Sequence, residues 1–423
     1  MRANLGFEIS EIRGVTRWLN WASFVESSEL GKKKSDTLVL FVSFNKPSDL
    51  KRMLEALQSQ EEAFDVLVVD NHSIVHASEI LSGLSKTDRS ISVIRSIANL
   101  GGAGGYALGL EWALEKGYDF FLVTEDDVHF GTPKLVDELV KRKSKDEILR
   151  VMFQGNRAVS YTFHFNLYPR KLLEITGVPD PRYFMRDDDF EWGWRNELAS
   201  IRCNIPFRTF DHLSYRHPVY QFQSSPVMQF FHFRNAFRTS AKLGFWNRLM
   251  KDYVTCWLSA ASALIFEFKP KKTKLFISTI TDFILQNQSL EINLRRMSQI
   301  CLISDFPVSF LGQEEKRVGV SCHAELQDLL SLKRNFFYRA FGFRETACIG
   351  HPLPLWGFLG AAWIATRFDE NLGEIVFRRW VNSFQFRYPR YLVSLVFSFA
   401  GIFSFLPVFL ARSLLIYALH RPR

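Results

Sequence analysis

The chain has 423 residues, of which 47% are hydrophobic and 23% charged, so disorder throughout is excluded and two or three domains are expected. Its formal net charge of +9 favours an anionic partner, such as a nucleotide sugar or an anionic membrane. The sequence contains no zinc-finger spacing and no RNA-binding aromatic motif, so we expect no nucleic-acid partner.

The cysteines and the first residues indicate the compartment. The five cysteines are widely spaced and include no Cys-x-x-Cys pair, which argues against a disulfide scaffold and favours a reducing environment. Residues 1–30 contain no uninterrupted apolar core, so we expect no signal peptide. These features predict a cytoplasmic location.

Apolar runs alternate with helical spacing from residue 37 to residue 123. A helix is predicted at 47–60, where leucine and methionine recur at helical intervals. Buried strands are predicted at 37–44, 65–69, 92–95 and 120–123. The alternation predicts βαβ units and an α/β fold with a parallel, Rossmann-like sheet, preceded by an N-terminal extension at 1–36.

A glycine-rich segment, Asn99–Gly105, precedes the helical stretch Tyr106–Lys116. Glycine permits positive φ and close approach of the backbone to a ligand, and free N–H groups at a helix start suit phosphate. The alternative is a turn that binds nothing, because glycine-rich turns are common in proteins.

Three acids, Glu125, Asp126 and Asp127, follow the fourth predicted strand. Carboxylates suit a hard divalent cation that neutralises a diphosphate, although a solvated turn has the same composition. Asn45 and Asp70 also follow strands. Because the carboxyl ends of parallel strands share one edge of a sheet, we expect all these groups to converge on a nucleotide-diphosphate site.

A second acidic cluster, Asp187–Glu191, lies further along the chain. It supplies a candidate general base that is separate from the metal acids, with Asp189 as first choice and Asp188 as second. The alternative is an acidic helix start, because carboxylates are favoured in the first turn of a helix. His217 is either a metal ligand or an ordinary histidine.

Two further pairs have open alternatives. The rings of Trp192 and Trp194 either stack on a sugar or belong to the core. Arg234 and Asn235 contact either a diphosphate or a structural partner.

Taken together and in this order, the segments resemble the family 2 glycosyltransferases over residues 37–240. The matching segments are Val42–Asn45, Val68–Ser73, Asn99–Gly105, Thr124–Asp127, Gly177–Asp180, Asp188–Glu191 and His217. The branch that they resemble most holds the galactofuranosyltransferases and rhamnosyltransferases of bacterial cell-envelope assembly. Processive members carry Gln-x-x-Arg-Trp, and here the nearest string has Val376 in place of Gln, so we expect a non-processive enzyme or one that adds few residues.

The resemblance implies a GT-A domain at 37–245 and a role for each matching residue. Asn45 and Asp70 would hold the base or ribose. The remaining donor contacts would come from Asn99, Gly101, Gly102, Gly104, Gly105 and Asp126. A Mn²⁺ or Mg²⁺ cofactor would be held by Glu125, Asp127 and His217. Asp189, or else Asp188, would be the general base, and Glu191 would hydrogen-bond the donor sugar or the acceptor. Glu125 stands where the family has Asp, which leaves Asp126 and Asp127 as alternative ligands.

The C-terminal region, 246–423, is predicted to be helical and membrane-associated. Tyr391–Ala411 is free of charged residues and has arginines on both sides. Three interpretations remain open: a bilayer span or re-entrant hairpin, an interfacial helix, and a buried helix of a soluble protein.

These expectations describe an inverting, metal-dependent transferase at the cytoplasmic face of a bacterial cell membrane. It would move a sugar from a UDP-galactofuranose- or dTDP-rhamnose-type donor to a polyprenyl-diphosphate-linked or polysaccharide acceptor, with self-association possible. A catalytically silent membrane scaffold or partner subunit is the alternative, and Glu125 is its support. A nucleotidyltransferase is disfavoured, because the glycine segment follows the third strand and not the first.

Overall fold

The computed structural model describes residues 7–12, 15–84, 89–153, 163–216, 226–265, 270–285, 289, 293–294, 397 and 400–420. The strands are β1 (Ile9–Ile12), β2 (Val15–Trp18), β3 (Val25–Glu29), β4 (Thr37–Ser43), β5 (Asp65–Asp70), β6 (Ile91–Ser96), β7 (Phe120–Val123), β8 (His129–Phe130), β9 (Ile148–Phe153), β10 (Asn166–Pro169) and β11 (Phe207–Arg216). The helices are α1 (Pro47–Gln58), α2 (Ala77–Ser82), α3 (Gly101–Glu115), α4 (Leu135–Lys141), α5 (Arg170–Thr176), α6 (Asp188–Cys203), α7 (Pro226–Leu243), α8 (Trp246–Ile265), α9 (Pro270–Leu285) and α10 (Ala400–His420).

A mixed sheet forms the centre of the fold, with the strand order β3-β6-β5-β4-β7-β10-β9-β11-β8. β6, β5, β4 and β7 are parallel, and β10 then pairs antiparallel with β7. The parallel strands are mostly apolar, because helices cover both faces of the sheet. The four strands predicted from sequence and their βαβ connections are confirmed.

Helix α3 corrects the prediction for the glycine segment. The helix begins at Gly101 and not at Tyr106, so the glycines form its first turns. The reason is packing: a Cβ on Gly105 would lie 2.6 Å from the Val42 side chain, and one on Gly109 would lie 2.6 Å from Leu40. Only glycine allows α3 to lie this close to β4, which outweighs its low helix propensity.

The N-terminal residues are part of the same structure. β3 extends the central sheet by pairing antiparallel with β6. β1 and β2 form a hairpin, and Thr16 of this hairpin bridges to Gly177.

Helices α7, α8, α9 and α10 share a second apolar core, to which α10 contributes Phe409 and Ile416. The other side of α10 exposes large apolar side chains, among them Val408, Leu415 and Leu419. Of the described helices, α10 alone is long and apolar enough to cross a membrane, and few of its residues are buried. The predicted run Tyr391–Ala411 overlaps it only in part, and 391–396 lie outside the described residues.

Candidate functional site

The carboxyl ends of β4, β5 and β7 and the start of α3 meet at one edge of the sheet. At the end of β5, the Asp70 carboxylate accepts hydrogen bonds from the backbone N–H groups of Ser73 (2.8 Å) and Ala77 (3.1 Å) and from Arg95 (2.8 Å). Asp70 is 1% exposed. These contacts shape the loop that follows β5. Because the Asp70 carboxylate is buried, it is not exposed for the contact with the base or ribose that the resemblance implied.

Asn71 and Asn99 fix the start of α3. The Asn71 amide donates to Asn99 Oδ1 (3.0 Å) and to the Gly101 carbonyl (3.1 Å), while its oxygen accepts from the Leu100 N–H (2.8 Å). Asn99 Oδ1 also accepts from the Gly101 N–H (2.8 Å). Asn99 therefore helps to cap α3, which is a role that the sequence did not assign to it.

The loop after β4 contributes Asn45 and Lys46. Asn45 Oδ1 accepts a hydrogen bond from the Ile74 N–H (2.8 Å), which joins this loop to the one after β5. Lys46 Nζ lies 2.6 Å from Asp127 Oδ2 and places a cation among the acids. Sequence reasoning missed Lys46, because a lone lysine after a strand belongs to no motif.

The glycines divide by environment. Gly101 has φ +70°, and a Cβ there would lie 1.9 Å from the Phe184 carbonyl oxygen. Gly102 faces the site, since a Cβ on it would lie 3.7 Å from Asp188 Oδ2. Gly104 and Gly105 are buried, the first against Leu100 and the second against Val42. They therefore serve close packing of α3 and not the diphosphate contact that was expected of them.

The three acids after β7 differ in exposure. Asp126 and Asp127 are buried and Glu125 is half-buried. Burial raises the pKa of Asp126 to about 7; Lys46 opposes the rise, and the Asp127 charge adds to it. Such a carboxylate is stabilised as an anion by a cation placed beside it.

The start of α6 brings Asp188 and Asp189 to the same edge. Burial raises the pKa of Asp189 to about 6, with the charges of Asp187 and Glu125 adding to the rise and that of His164 opposing it. Burial also raises the pKa of Asp188, and the Asp189 charge reinforces this effect. A carboxylate with a raised pKa is suited to proton transfer near neutral pH.

His164 is a further residue of this site that sequence reasoning missed. Its Nε2 lies 3.0 Å from Glu125 Oε2, and its Nδ1 lies 3.0 Å from the Tyr215 hydroxyl. The chain Tyr215–His164–Glu125 orients the first of the three acids. His164 precedes β10 and Tyr215 lies in β11, and only the folded sheet brings these segments close together. The sequence therefore carries no local signal for the role of His164.

The placement of Glu191 is a correction. Glu191 is fully buried, and its carboxylate lies 2.8 Å from Arg195 and 2.7 Å from Lys242. Although burial alone would raise its pKa, Arg195 and Lys242 lower it below the usual value. Glu191 thus holds α6 against α7 in place of the sugar contact expected from the sequence.

Glu191 belongs to a wider buried ionic network around Glu11 of β1. The Glu11 carboxylate lies 2.6 Å from Arg182, 2.9 Å from Lys242 and 3.1 Å from His420. Asp180 lies 2.7 Å from Arg182. The network joins β1, the turn before α6, α7 and α10.

Of the residues whose roles the sequence left open, Trp192 and Arg234 have structural roles. Trp192 is 1% exposed and donates from Nε1 to the Gly177 carbonyl (3.0 Å), so it belongs to the core. Trp194 is half-buried beside Phe190 and Phe245. Arg234 is fully buried and donates to backbone carbonyls. His217 lies outside the described residues.

The acids fit a divalent cation by their chemistry. Asp126 Oδ2 is buried and has no hydrogen-bond partner among the residues that the structure describes. Carboxylate oxygens are the ligands that Mg²⁺ and Mn²⁺ take in proteins. Within the described ranges, no three His, Cys, Asp or Glu side chains form a preassembled metal cluster.

Comparisons with known proteins give a family match and related curated proteins. Residues 38–211 match the family described as glycosyl transferase family 2. Galactofuranosyltransferase GlfT1 of Mycobacterium tuberculosis (strain ATCC 25618 / H37Rv) is 25% identical over 221 residues, which cover 44% of this chain and 71% of that protein. GlfT1 of Mycolicibacterium smegmatis is 25% identical over 217 residues, covering 42% of this chain and 70% of that protein.

Solved structures that match the chain include TarS 1–349 of S. aureus, with a TM-score of 0.38 and 13% identity over 67% of this chain and 94% of that one. The mannosyltransferase PcManGT of Pyrobaculum calidifontis, in complex with GDP-Man and Mn²⁺, has a TM-score of 0.40 and 13% identity over 73% of this chain and 83% of that one.

Proposed function

We propose, from the premise that this chain is a family 2 glycosyltransferase with a GT-A fold, that it transfers galactofuranose from UDP-galactofuranose to a growing cell-envelope glycan. The convergence of Glu125–Asp127 with Asp188 and Asp189 beside Gly102 supports this proposal most directly. The similarity to galactofuranosyltransferases favours this sugar, and rhamnose from a dTDP donor is the second candidate.

In the proposed mechanism, Asp189 is the general base. It takes the proton of the acceptor hydroxyl as that oxygen attacks the anomeric carbon of the donor, and the bond from this carbon to the nucleotide diphosphate breaks. The displacement inverts the anomeric centre in one step. Asp188, next to Asp189 and facing Gly102, borders the space in which the donor sugar would lie.

A divalent cation would be held by the acids after β7, with Asp126 and Asp127 as the buried ligands and Glu125 as the half-buried one. When bound, it supplies positive charge that stabilises the departing diphosphate. Lys46, which is paired with Asp127, supplies a second positive charge at the same edge.

We also propose that α10 lies along the cytoplasmic surface of the membrane. One side of α10 packs on α7–α9 through Phe409 and Ile416, while its other side exposes Leu415 and Leu419. A helix that is half covered by protein and half apolar at the surface fits an interface better than a span. We keep 37–245 as the catalytic domain and 246–423 as the membrane-associated region, and the extension 1–36 adds β3 to the sheet of the catalytic domain.

The proposal is tested by turnover. Detergent-solubilised protein with Mn²⁺ or Mg²⁺ is incubated with UDP-, dTDP- and GDP-sugars and a polyprenyl-diphosphate glycan, and release of nucleotide diphosphate is measured. Release with UDP-galactofuranose that stops on addition of EDTA is the expected result. Release with dTDP-rhamnose alone would replace the proposed donor, and absence of nucleotide-diphosphate binding would favour the silent scaffold.

Metal binding is measured separately from turnover, by the loss of the free Mn²⁺ signal in electron paramagnetic resonance. Asp127→Ala is expected to weaken Mn²⁺ binding, because one buried ligand is lost. Asp146→Ala is the matched control, since the Asp146 side chain is 82% exposed on the surface. Equal Mn²⁺ binding by both variants would contradict the assignment of Asp127.

A further inference from the structure

The turn that leads into α6 has an unusual backbone. Phe184, Arg186 and Asp187 have φ values of 66°, 67° and 66°, and none of them is glycine. Residues with side chains rarely occupy this left-handed region, so a turn with three of them persists only where its surroundings hold it. The turn ends one residue before Asp188.

Asn235 of α7 is the centre of that support. It is fully buried, and its Nδ2 donates to the carbonyl oxygens of Tyr183 (2.8 Å), Met185 (2.7 Å) and Arg186 (2.9 Å). Its Oδ1 accepts a hydrogen bond from Arg234 Nε (3.1 Å). The two hydrogens of this amide are therefore shared among three carbonyl oxygens of the irregular turn, and that of Tyr183 also accepts from the Met185 N–H (2.8 Å).

Arg234 adds a second set of donors. Its Nη2 donates to the carbonyl oxygens of Arg182 (3.2 Å) and Tyr183 (3.1 Å), and its Nη1 donates to Asn293 Oδ1 (2.5 Å). Burial lowers the pKa of this guanidinium to about 9. Burying a cation is unfavourable unless its hydrogen bonds are satisfied, and here two of the four go to the carbonyls of Arg182 and Tyr183, just before Phe184.

Arg248 of α8 holds the other end of the turn. Its Nη2 lies 2.6 Å from Asp187 Oδ1, and its guanidinium lies 4.8 Å from the centre of the Phe190 ring. The pair fixes the residue immediately before Asp188. Phe190 immediately follows Asp189, so Arg248 contacts both sides of the two acids.

The turn also meets α3. The Phe184 carbonyl oxygen accepts a hydrogen bond from the Ala103 N–H (3.1 Å) and occupies the space beside Gly101. The conformation of the turn thus sets the position of the acids of α6 relative to Gly102.

We propose that Asn235 and Arg248 are positioning residues for Asp189, because they hold the left-handed turn that aims the start of α6 at the donor site. The inference rests on the proposed function, since it takes Asp189 as the base. It makes α7 and α8 part of the catalytic apparatus and not only a support for membrane attachment.

The test uses Asn235→Asp in the full-length protein. The substitution keeps the size of the side chain but replaces the Nδ2 donor with an oxygen that repels three carbonyls. We expect kcat to fall at least about tenfold while the donor KM and UDP binding change less than about threefold, because the base is misplaced and the donor contacts remain. Hydrogen–deuterium exchange at residues 184–191 should become faster.

Asn196→Asp is the matched control, because Asn196 is a fully buried amide further along α6 that lies near Tyr168. It should keep the kcat of the wild type and its slow exchange at 184–191. Arg248→Gln is the second variant should Asn235→Asp not fold, since the Arg248 side chain is 29% exposed and its loss is easier to accommodate.

Wild-type kcat and wild-type exchange at 184–191 in Arg248→Gln or in a folded Asn235→Asp would overturn the inference. An equal loss of kcat in Asn196→Asp would also overturn it, since any buried change would then have the same effect. Hydrogen–deuterium exchange is measured without a substrate. A wild-type protein that turns over no donor would therefore refute the proposed function, but the exchange data would still test whether Asn235 and Arg248 hold the turn.

Discussion

The Tyr106 hydroxyl donates a 2.7 Å hydrogen bond to the Thr124 carbonyl, which ties the second turn of α3 to the residue before the three acids. Burial raises the pKa of Tyr106, and the charges of four acids reinforce this effect: Glu125, Asp126, Asp127 and Asp188. The hydroxyl therefore keeps its proton and remains a donor. The Tyr106 hydroxyl therefore lies close to both groups of acids, the three after β7 and Asp188 of α6.

Replacing Asp189 with Asn should abolish most of the transfer while leaving donor binding intact. The amide has the shape of the carboxylate but cannot accept the proton of the acceptor, and general-base catalysis contributes about 10²- to 10⁴-fold. The measurement is kcat by nucleotide-diphosphate release, with UDP binding by calorimetry as the control. Activity equal to the wild type would remove Asp189 from the base role.

The dependence of kcat on pH should follow the ionisation of the Asp189 carboxylate. Burial raises the pKa of Asp189 to about 6, and the base works only when ionised. Activity is therefore expected to be high above this pKa and to be lost as the pH falls through about 6. A profile of kcat against pH tests this, and a midpoint near 4, the usual value for an aspartate, would contradict it.

Gly101→Ala should destabilise the protein strongly, whereas Gly102→Ala should not. A Cβ on Gly101 would lie 1.9 Å from the Phe184 carbonyl at φ +70°, while the nearest atom to one on Gly102 is 3.7 Å away. We expect a loss of at least about 2 kcal/mol in the free energy of unfolding for the first variant, and a change within about 1 kcal/mol for the second. Thermal unfolding of the two proteins measures the difference, and equal midpoints would refute it.

Charges on the exposed side of α10 should weaken membrane binding. Leu415 and Leu419 are 48% and 68% exposed, so Leu415→Glu and Leu419→Glu should leave the packed side of the helix intact. Each loses the burial of a leucine in lipid, about 1.5–3 kcal/mol, which corresponds to at least about a tenfold weaker partition.

Flotation with phosphatidylglycerol vesicles measures this partition. Ile201→Glu is the control, because Ile201 is 73% exposed but lies on α6 of the catalytic domain. Equal loss of binding in the control would contradict a specific role for α10.

The parallel half of the sheet could be predicted because its signal is local. β4, β5 and β7 are continuous apolar runs bounded by polar residues, and β6 is a mixed segment with Val93 and Ile94 at its centre. The second half joins β9, β10 and β11 through mixed pairing between distant segments, and such pairing leaves no periodic pattern in the sequence.

The sequence was sufficient to predict where the site lies, but less so to predict the role of each residue in it. The acids after β7 and at the start of α6 meet as expected, whereas Lys46 and His164 join them only through the fold. Glu191 did carry a warning in the sequence: Arg195 follows it by four residues, which is the spacing of an ion pair along a helix.

The Glu11 network has a consequence for how this protein can be divided. Glu11 lies outside the family match at 38–211, yet its carboxylate neutralises Arg182 inside that match and Lys242 beyond it. A fragment cut at the edges of the match would lose this counter-charge and also β3, the edge strand of the sheet. The segment that the family match covers is therefore smaller than the structural unit, and expression trials should begin upstream of β1.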